Sequence, residues 1–358
     1  MKKTVPAANP EACHHPADSE PMISSLLTAE MVFGHKIQPD NRALKYRGCA
    51  RVEATAERAR FDRSVEAVGG FRYNAPGGRI VFRTDATSVV AQFRGNQLHT
   101  RRDAVNRVGV VFVNGTKRGI CSLDGTAIGP VHVPVLQEER PALRDIEIWL
   151  PYGESVDFEG LVVNADARFF PTATSDRPRY VAYGDSITHG FQASDPTLTY
   201  PSLLAVAKGW ELTNLGFGCH TATADDGKLI GAVPADVITI LIGFNDHLGN
   251  KPLEQYRADV AGLLRNIRAA QPNTPIWLIT PLWSAEPWPT NLGLHLEDYR
   301  KVLRKITAAA DDPRLQLIEG TDLIPADPGC FTDGVHPNDR GFRIMADQLA
   351  AKISLSSP

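Results

Sequence analysis

A serine hydroxyl attacks a carbonyl only when a base removes its proton, and the base works only when something fixes its ring. The 358-residue sequence holds these residue types in a suggestive order. In "RYVAYGDSITHG" (residues 179–190) an apolar run ends on Gly184, Asp185 and Ser186. A strand that stops there holds the Ser186 oxygen at the lip of a sheet, where open α/β folds bind their ligands. Far downstream, "FTDGVHPNDRGF" carries Asp333 and His336 three residues apart. Gly334 interrupts regular structure and Pro337 biases His336 away from the helical region, which places the pair on a shaped loop. There a carboxylate can hold imidazole Nδ1–H while Nε2 faces Ser186. Taken alone, the same pair fits equally well a helix N-terminal turn that satisfies backbone groups.

Negative charge develops on the oxygen of an attacked carbonyl, so the chemistry also needs fixed donors. Two strand ends offer them. "LTNLGFGCH" gives a glycine-rich turn with backbone N–H groups of Gly218 and Cys219, and "LIGFNDH" ends a strongly apolar run on Asn245, whose side-chain amide can donate. By itself Asn245-Asp246 reads as a cap or turn. The succession Ser, glycine turn, Asn and Asp-x-x-His supplies every type that one acyl-transfer site requires. His189 and His220 lie beside these segments; with the base role filled by His336, they are expected to pack or bind water at the rim.

On these segments, "GDSI", "NLGFG", "GFND" and "DGVHP", residues 179–350 resemble the SGNH or GDSL hydrolase family. The resemblance implies Ser186 as nucleophile, His336 as general base, Asp333 as its orienter, and Asn245 with the Ser186 N–H as part of an oxyanion hole. One departure matters. Where the family has the last glycine of N-x-G-x-x-G, this chain has Cys219; its backbone N–H survives the change, and a one-residue shift would make Gly218 the donor instead. The resemblance also implies ester hydrolysis of small O-acyl groups on an alcohol or carbohydrate, or O-acyl transfer to an alcohol acceptor; no H-E-x-x-H or paired C-x-x-C points to a metal, and no cofactor is expected.

These residues need elements to position them. Beyond residue 173 strand-like and helical runs alternate: "VAY", "LTNLG", "DVITILIG" and "PIWLIT" read as strands, whereas "LEQYRADVAGLLRNI" and "HLEDYRKVLRKI" place their apolar residues on one helical face. That alternation predicts a three-layer α/β/α domain around a doubly wound parallel sheet over residues 173–358. Residues 25–172 instead favour a period of two with turn pairs Asn114-Gly115 and Asp124-Gly125, which predicts an all-β, jelly-roll-like sandwich. Ile146, Ile148 and Leu150 are expected to face its core, with Asp145, Glu147 and Trp149 outward. Residues 1–24 read as a flexible tail, including "CHH" at Cys13–His15, a metal-ligand combination without a second pair. "PLWSAEPWPTNLG" could wall the cleft with Trp283 and Trp288.

Composition narrows the remaining choices. A formal net charge of -3 gives no general field for polyanions, so nucleic acid is not expected as a partner. The mixed-charge stretch "EATAERARFDR" reads as a solvated face. No apolar run is long enough to span a membrane, no apolar segment follows Lys2 and Lys3 as in an export signal, and five scattered cysteines suit a reducing compartment; a cytoplasmic protein is expected. "LGFGCHT" begins like a dinucleotide fingerprint but has Thr221 at the third glycine position. A carbohydrate-binding protein without catalysis would leave the acyl-transfer set unexplained.

Overall fold

The computed structural model describes residues 34–63, 72–95, 107–123, 129–173, 175–285 and 288–355. The tail, its Cys13–His15 cluster and the Asp124-Gly125 pair lie outside them.

The N-terminal part is two antiparallel sheets. One runs in the order Arg51–Ala54, Ala59–Asp62, Val156–Val163, Ser88–Gly95, Pro130–Gln137, with His35–Ile37 also on Val156–Val163. The other runs Phe169–Phe170, Arg79–Thr84, Arg144–Trp149, Val108–Val113, Thr116–Ser122, with Lys45–Arg47 on Arg79–Thr84. Alternation places Ile80, Phe82, Ile146 and Ile148 of one sheet in a single buried cluster with Val89, Ala91, Phe93 and Phe158 of the other. Asn114 and Gly115 both take positive φ (51° and 75°), as a two-residue hairpin turn demands.

The C-terminal part is built on a five-stranded parallel sheet in the order Glu211–Gly216, Arg179–Gly184, Val237–Leu241, Ile276–Ile279, Leu315–Ile318. Successive side chains of the first strand in sequence go to opposite faces. Tyr180 and Ala182 join helices Tyr200–Lys208 and Asp339–Lys352, while Val181 and Tyr183 join helices Asp226–Ala232, Leu253–Ala270 and Leu296–Ala309. This is a three-layer α/β/α arrangement preceded by a β-sandwich. In strand sequence numbers the order is 2-1-3-4-5, so the chain reverses direction of winding between Arg179–Gly184 and Val237–Leu241, and a crevice opens at their carboxyl ends. Ser186 and Asn245 follow these two strands. The four strands read from the sequence are present; the four-residue strand Leu315–Ile318 was not among them.

Two expectations about the sandwich surface change. Trp149 is buried: the Arg79 guanidinium lies 4.7 Å from its ring, and Arg79 also pairs with Glu211 of the parallel sheet, so the outward face is covered at its Trp149 end while Asp145 stays exposed. The stretch 53–63 is likewise not a solvated face throughout. Arg60 forms a two-pronged pair with Asp157 (2.8 and 2.6 Å), and Arg63 is fully buried against the C-terminal part.

Candidate active site

The strand Arg179–Gly184 turns directly into the short helix Ser186–His189, whose N-cap Asp185 accepts a hydrogen bond from the Ile187 N–H (3.0 Å). The turn is tight because Gly184 leaves no Cβ: one would stand 2.3 Å from the Leu241 carbonyl oxygen and from Thr188 Oγ1. Ser186 therefore emerges from a rigid corner, 9% exposed.

His336 comes from the loop before helix Asp339–Lys352. A bridge between Phe331 and Pro337 and a hydrogen bond from Thr332 N–H to the His336 carbonyl (2.9 Å) close that loop on itself. Gly334 sits at φ +79°, the left-handed turn that lets Asp333 fold back on His336. Asp333 Oδ1 accepts the backbone N–H groups of Val335 (3.1 Å) and His336 (2.8 Å), and its Oδ2 lies 2.7 Å from His336 Nδ1. Partial burial pulls the Asp333 pKa up, but these hydrogen bonds together outweigh it and hold the group below its ordinary value. A carboxylate only accepts, so Nδ1 carries the proton and Nε2 presents its lone pair. Nε2 is 2.9 Å from Ser186 Oγ. Phe191 packs edge-on against the imidazole with centroids 4.8 Å apart, a support that its sequence position gave no sign of.

Ser186, Cys219, Asn245, Asp333 and His336 line one cleft of about 920 Å³, walled on its apolar side by Phe191, Phe244, Leu248 and Trp288. Asn245 Nδ2 is buried with no hydrogen-bond partner among the described residues, a donor left free in the cleft that Ser186 also lines. Cys219 stands at φ +58°, the left-handed conformation for which glycine is the usual residue, while Gly218 is buried one residue back and does not line the cleft. Neither N–H has a backbone acceptor among the described residues. The two tryptophans separate: Trp288 lies on the cleft, 63% exposed, whereas Trp283 turns inward onto Phe331, ring centroids 5.3 Å apart.

His189 and His220 are not at the rim. His189 is buried with Nε2 at the Tyr152 carbonyl, and His220 Nε2 is shared between Asp226 (3.0 Å) and Tyr183 OH (2.9 Å). Asn214 holds the glycine turn in place, accepting from Gly216 N–H (2.8 Å) and donating to the Thr188 carbonyl (2.7 Å). Beneath Asn245, the fully buried Asp246 accepts the Ala222 N–H and pairs with Lys251 at 2.8 Å, tying this helix to the turn. Burial raises the pKa of Asp246, and of Asp185 to about 7. Among the described residues no group of His, Cys, Asp and Glu is arranged to hold a metal, and no helix is long and apolar enough to cross a membrane.

Residues 182–344, the span that carries all of these side chains, match the GDSL-like lipase/acylhydrolase family. This part of the chain is a GDSL-like lipase/acylhydrolase domain. An acetylxylan esterase from Xylanibacter ruminicola is 26% identical over 219 residues, 51% of this chain and 44% of that protein, so the chain spans less than half of this relative's length. Among solved structures, a salicylyl-acyltransferase from a tetracycline biosynthetic pathway is similar with TM-score 0.75 at 23% identity, over 88% of this chain and 95% of that one. A family two carbohydrate esterase from Cellvibrio japonicus is similar with TM-score 0.68 at 14% identity, over 89% and 96%. At these identities the likeness is one of fold, and it extends across the sandwich as well as the GDSL-like domain.

Proposed function

We propose that the protein is a serine esterase that cleaves O-acyl esters of an alcohol or carbohydrate through a Ser186 acyl-enzyme. The observation that carries this reading is the hydrogen-bonded line Ser186 Oγ, His336 Nε2, His336 Nδ1, Asp333 Oδ2, at 2.9 and 2.7 Å, beside an unpartnered Asn245 amide.

Ser186 Oγ attacks the ester carbonyl carbon while its proton passes to His336 Nε2. The charge that appears on the carbonyl oxygen is met by Asn245 Nδ2–H, the Ser186 N–H and the Cys219 N–H, which the cleft-facing position of Cys219 favours over that of Gly218. Collapse breaks the bond to the leaving alkoxide, which takes the proton back from Nε2. Asp333, kept ionised, holds the imidazole in the tautomer that can accept and steadies the imidazolium that forms. In the second half water gives its proton to His336 and attacks the acyl carbon, releasing the acid and Ser186.

Transfer of the acyl group to an alcohol shares the first step. The apolar wall of Phe191, Phe244, Leu248 and Trp288 favours this second reading, because it disfavours water beside the acyl-enzyme. Among the described residues Asp333, His336 and Cys219 are the titratable side chains lining the cleft, and with no lysine or arginine among them an uncharged ester suits it better than an anionic one. A reducing, cytoplasmic setting fits the free cysteines Cys49, Cys121, Cys219 and Cys330.

The experiment is product analysis with an acetyl ester donor, with and without a sugar or simple alcohol acceptor. Free acid that appears with wild type and vanishes with Ser186→Ala supports hydrolysis, and acylated acceptor at the expense of acid supports transfer. Turnover unchanged in Ser186→Ala rejects both.

A further inference from the structure

The strand Glu211–Gly216 is the edge of the parallel sheet, and it ends in the turn that carries Gly218 and Cys219. An exposed edge is normally blunted or covered. Here the sandwich covers it at both ends. At the entry, Arg47 (3.2 Å) and Arg79 both pair with Glu211. At the exit, Arg63 donates through Nη1 to the Gly216 carbonyl, and its guanidinium carbon lies 4.2 Å from the centroid of the Phe217 ring.

Arg63 has no exposed surface. Burying a cation is costly unless it is hydrogen-bonded and paired, and simple filling of the gap would be done as well by an apolar side chain. What a guanidinium adds is direction: a planar fork that fixes a carbonyl and stacks on an aromatic face at once. These two targets adjoin the turn. Gly216 and Phe217 immediately precede it, and on its far side His220 packs on Phe217 (centroids 5.6 Å) and is anchored by Asp226 and Tyr183. The Gly218–Cys219 segment is thus held between two fixed side chains, one of them seated on Arg63.

We propose that Arg63 is a positioning residue for the oxyanion turn, so that the β-sandwich is part of the catalytic apparatus rather than a separable recognition module. This rests on the reading that the turn donates to the oxyanion. Arg63 touches neither substrate nor the reacting atoms; it sets where the Cys219 N–H stands relative to Ser186.

The test is made on the full chain with Arg63→Met and Arg63→Lys, using 4-nitrophenyl acetate, thermal unfolding and labelling of Ser186 by a fluorophosphonate. The expected result is a kcat at least about tenfold lower with KM within twofold. Combining either variant with Asn245→Ala should cost less than the product of the single losses, because both act on the same oxyanion. Arg63→Lys keeps the cation, decides by the same criteria if Arg63→Met fails to fold, and should fall between Arg63→Met and wild type. A kcat within twofold of wild type, a loss confined to KM, or strictly multiplicative losses with Asn245→Ala overturns the proposal. Wild type that is not labelled on Ser186 overturns the serine mechanism itself, an outcome distinct from a labelled enzyme indifferent to Arg63.

Discussion

Gly216 lies so close under the first turn after the serine that a Cβ on it would stand 2.1 Å from the backbone nitrogen of His189. The two strands that deliver Ser186 and the glycine turn are in register at this level, Gly184 opposite Gly216, with a hydrogen bond from Phe217 N–H to the Gly184 carbonyl (2.9 Å). Neither glycine is needed for a positive φ; both are needed for approach. Gly216→Ala is expected to lower stability by about 1–3 kcal/mol, the usual cost of overpacking, because the atom it meets is backbone and has no rotamer to yield. Gly119→Ala, where an added Cβ meets nothing within 4 Å, is expected to stay within about 0.5 kcal/mol of wild type. Chemical denaturation of both variants makes the comparison.

Asp185 gives the fold a pH dependence of identifiable sign. Burial, helped by the charge on Asp246 and opposed by the hydrogen bond from the Ile187 N–H, raises its pKa from about 3.8 to about 7. Between those two values the folded chain keeps the proton and the unfolded chain has lost it. Stability from this group is therefore greatest below the lower value, declines as pH rises across the interval, and is constant above about 7. Asp185→Asn retains an oxygen to cap Ile187 N–H but has no proton to lose. Urea unfolding at pH 5 and pH 8 should show wild type losing more stability than Asp185→Asn over that step; equal losses would assign the dependence to other groups.

The unpartnered Nδ2 of Asn245 predicts a kinetic, not a structural, defect. Removing one oxyanion donor in comparable sites lowers kcat by roughly 10²- to 10³-fold, about 2.7–4 kcal/mol. Asn245→Ala is expected to show a loss of that size with KM and melting temperature little changed. Among the described residues Asn245 Nδ2 gives up no hydrogen bond on substitution, so a large fall in melting temperature with modest kinetic change would point to a packing role instead.

The candidate site residues were picked out in the sequence because the proposed chemistry allows few substitutes and because each follows a strand or loop with strong local signals. The apolar runs before Ser186 and Asn245 are buried on both faces, and Pro337 marks the His336 loop. Arg63 was not legible. In "ERARFDR" it looks like any arginine of a mixed-charge stretch, and its burial is decided by the Gly216 carbonyl, 153 residues away in the chain. Trp149 failed for a related reason: alternation within the sandwich sends it outward, and only the packing of the sandwich against the parallel sheet makes that face an interior. Trp283 and Trp288 show the opposite limit, since two like residues in one loop part company according to whether Phe331 or the cleft is nearest.

The most direct measurement is the intact mass of the protein after reaction with a fluorophosphonate ester, followed by peptide mapping. The account predicts one covalent adduct on the peptide containing Ser186, none on Ser186→Ala, and labelling of His336→Gln slowed at least about 10²-fold, as loss of a general base requires. A wild-type protein that stays unmodified, or a Ser186→Ala variant modified as fast as wild type, would contradict it.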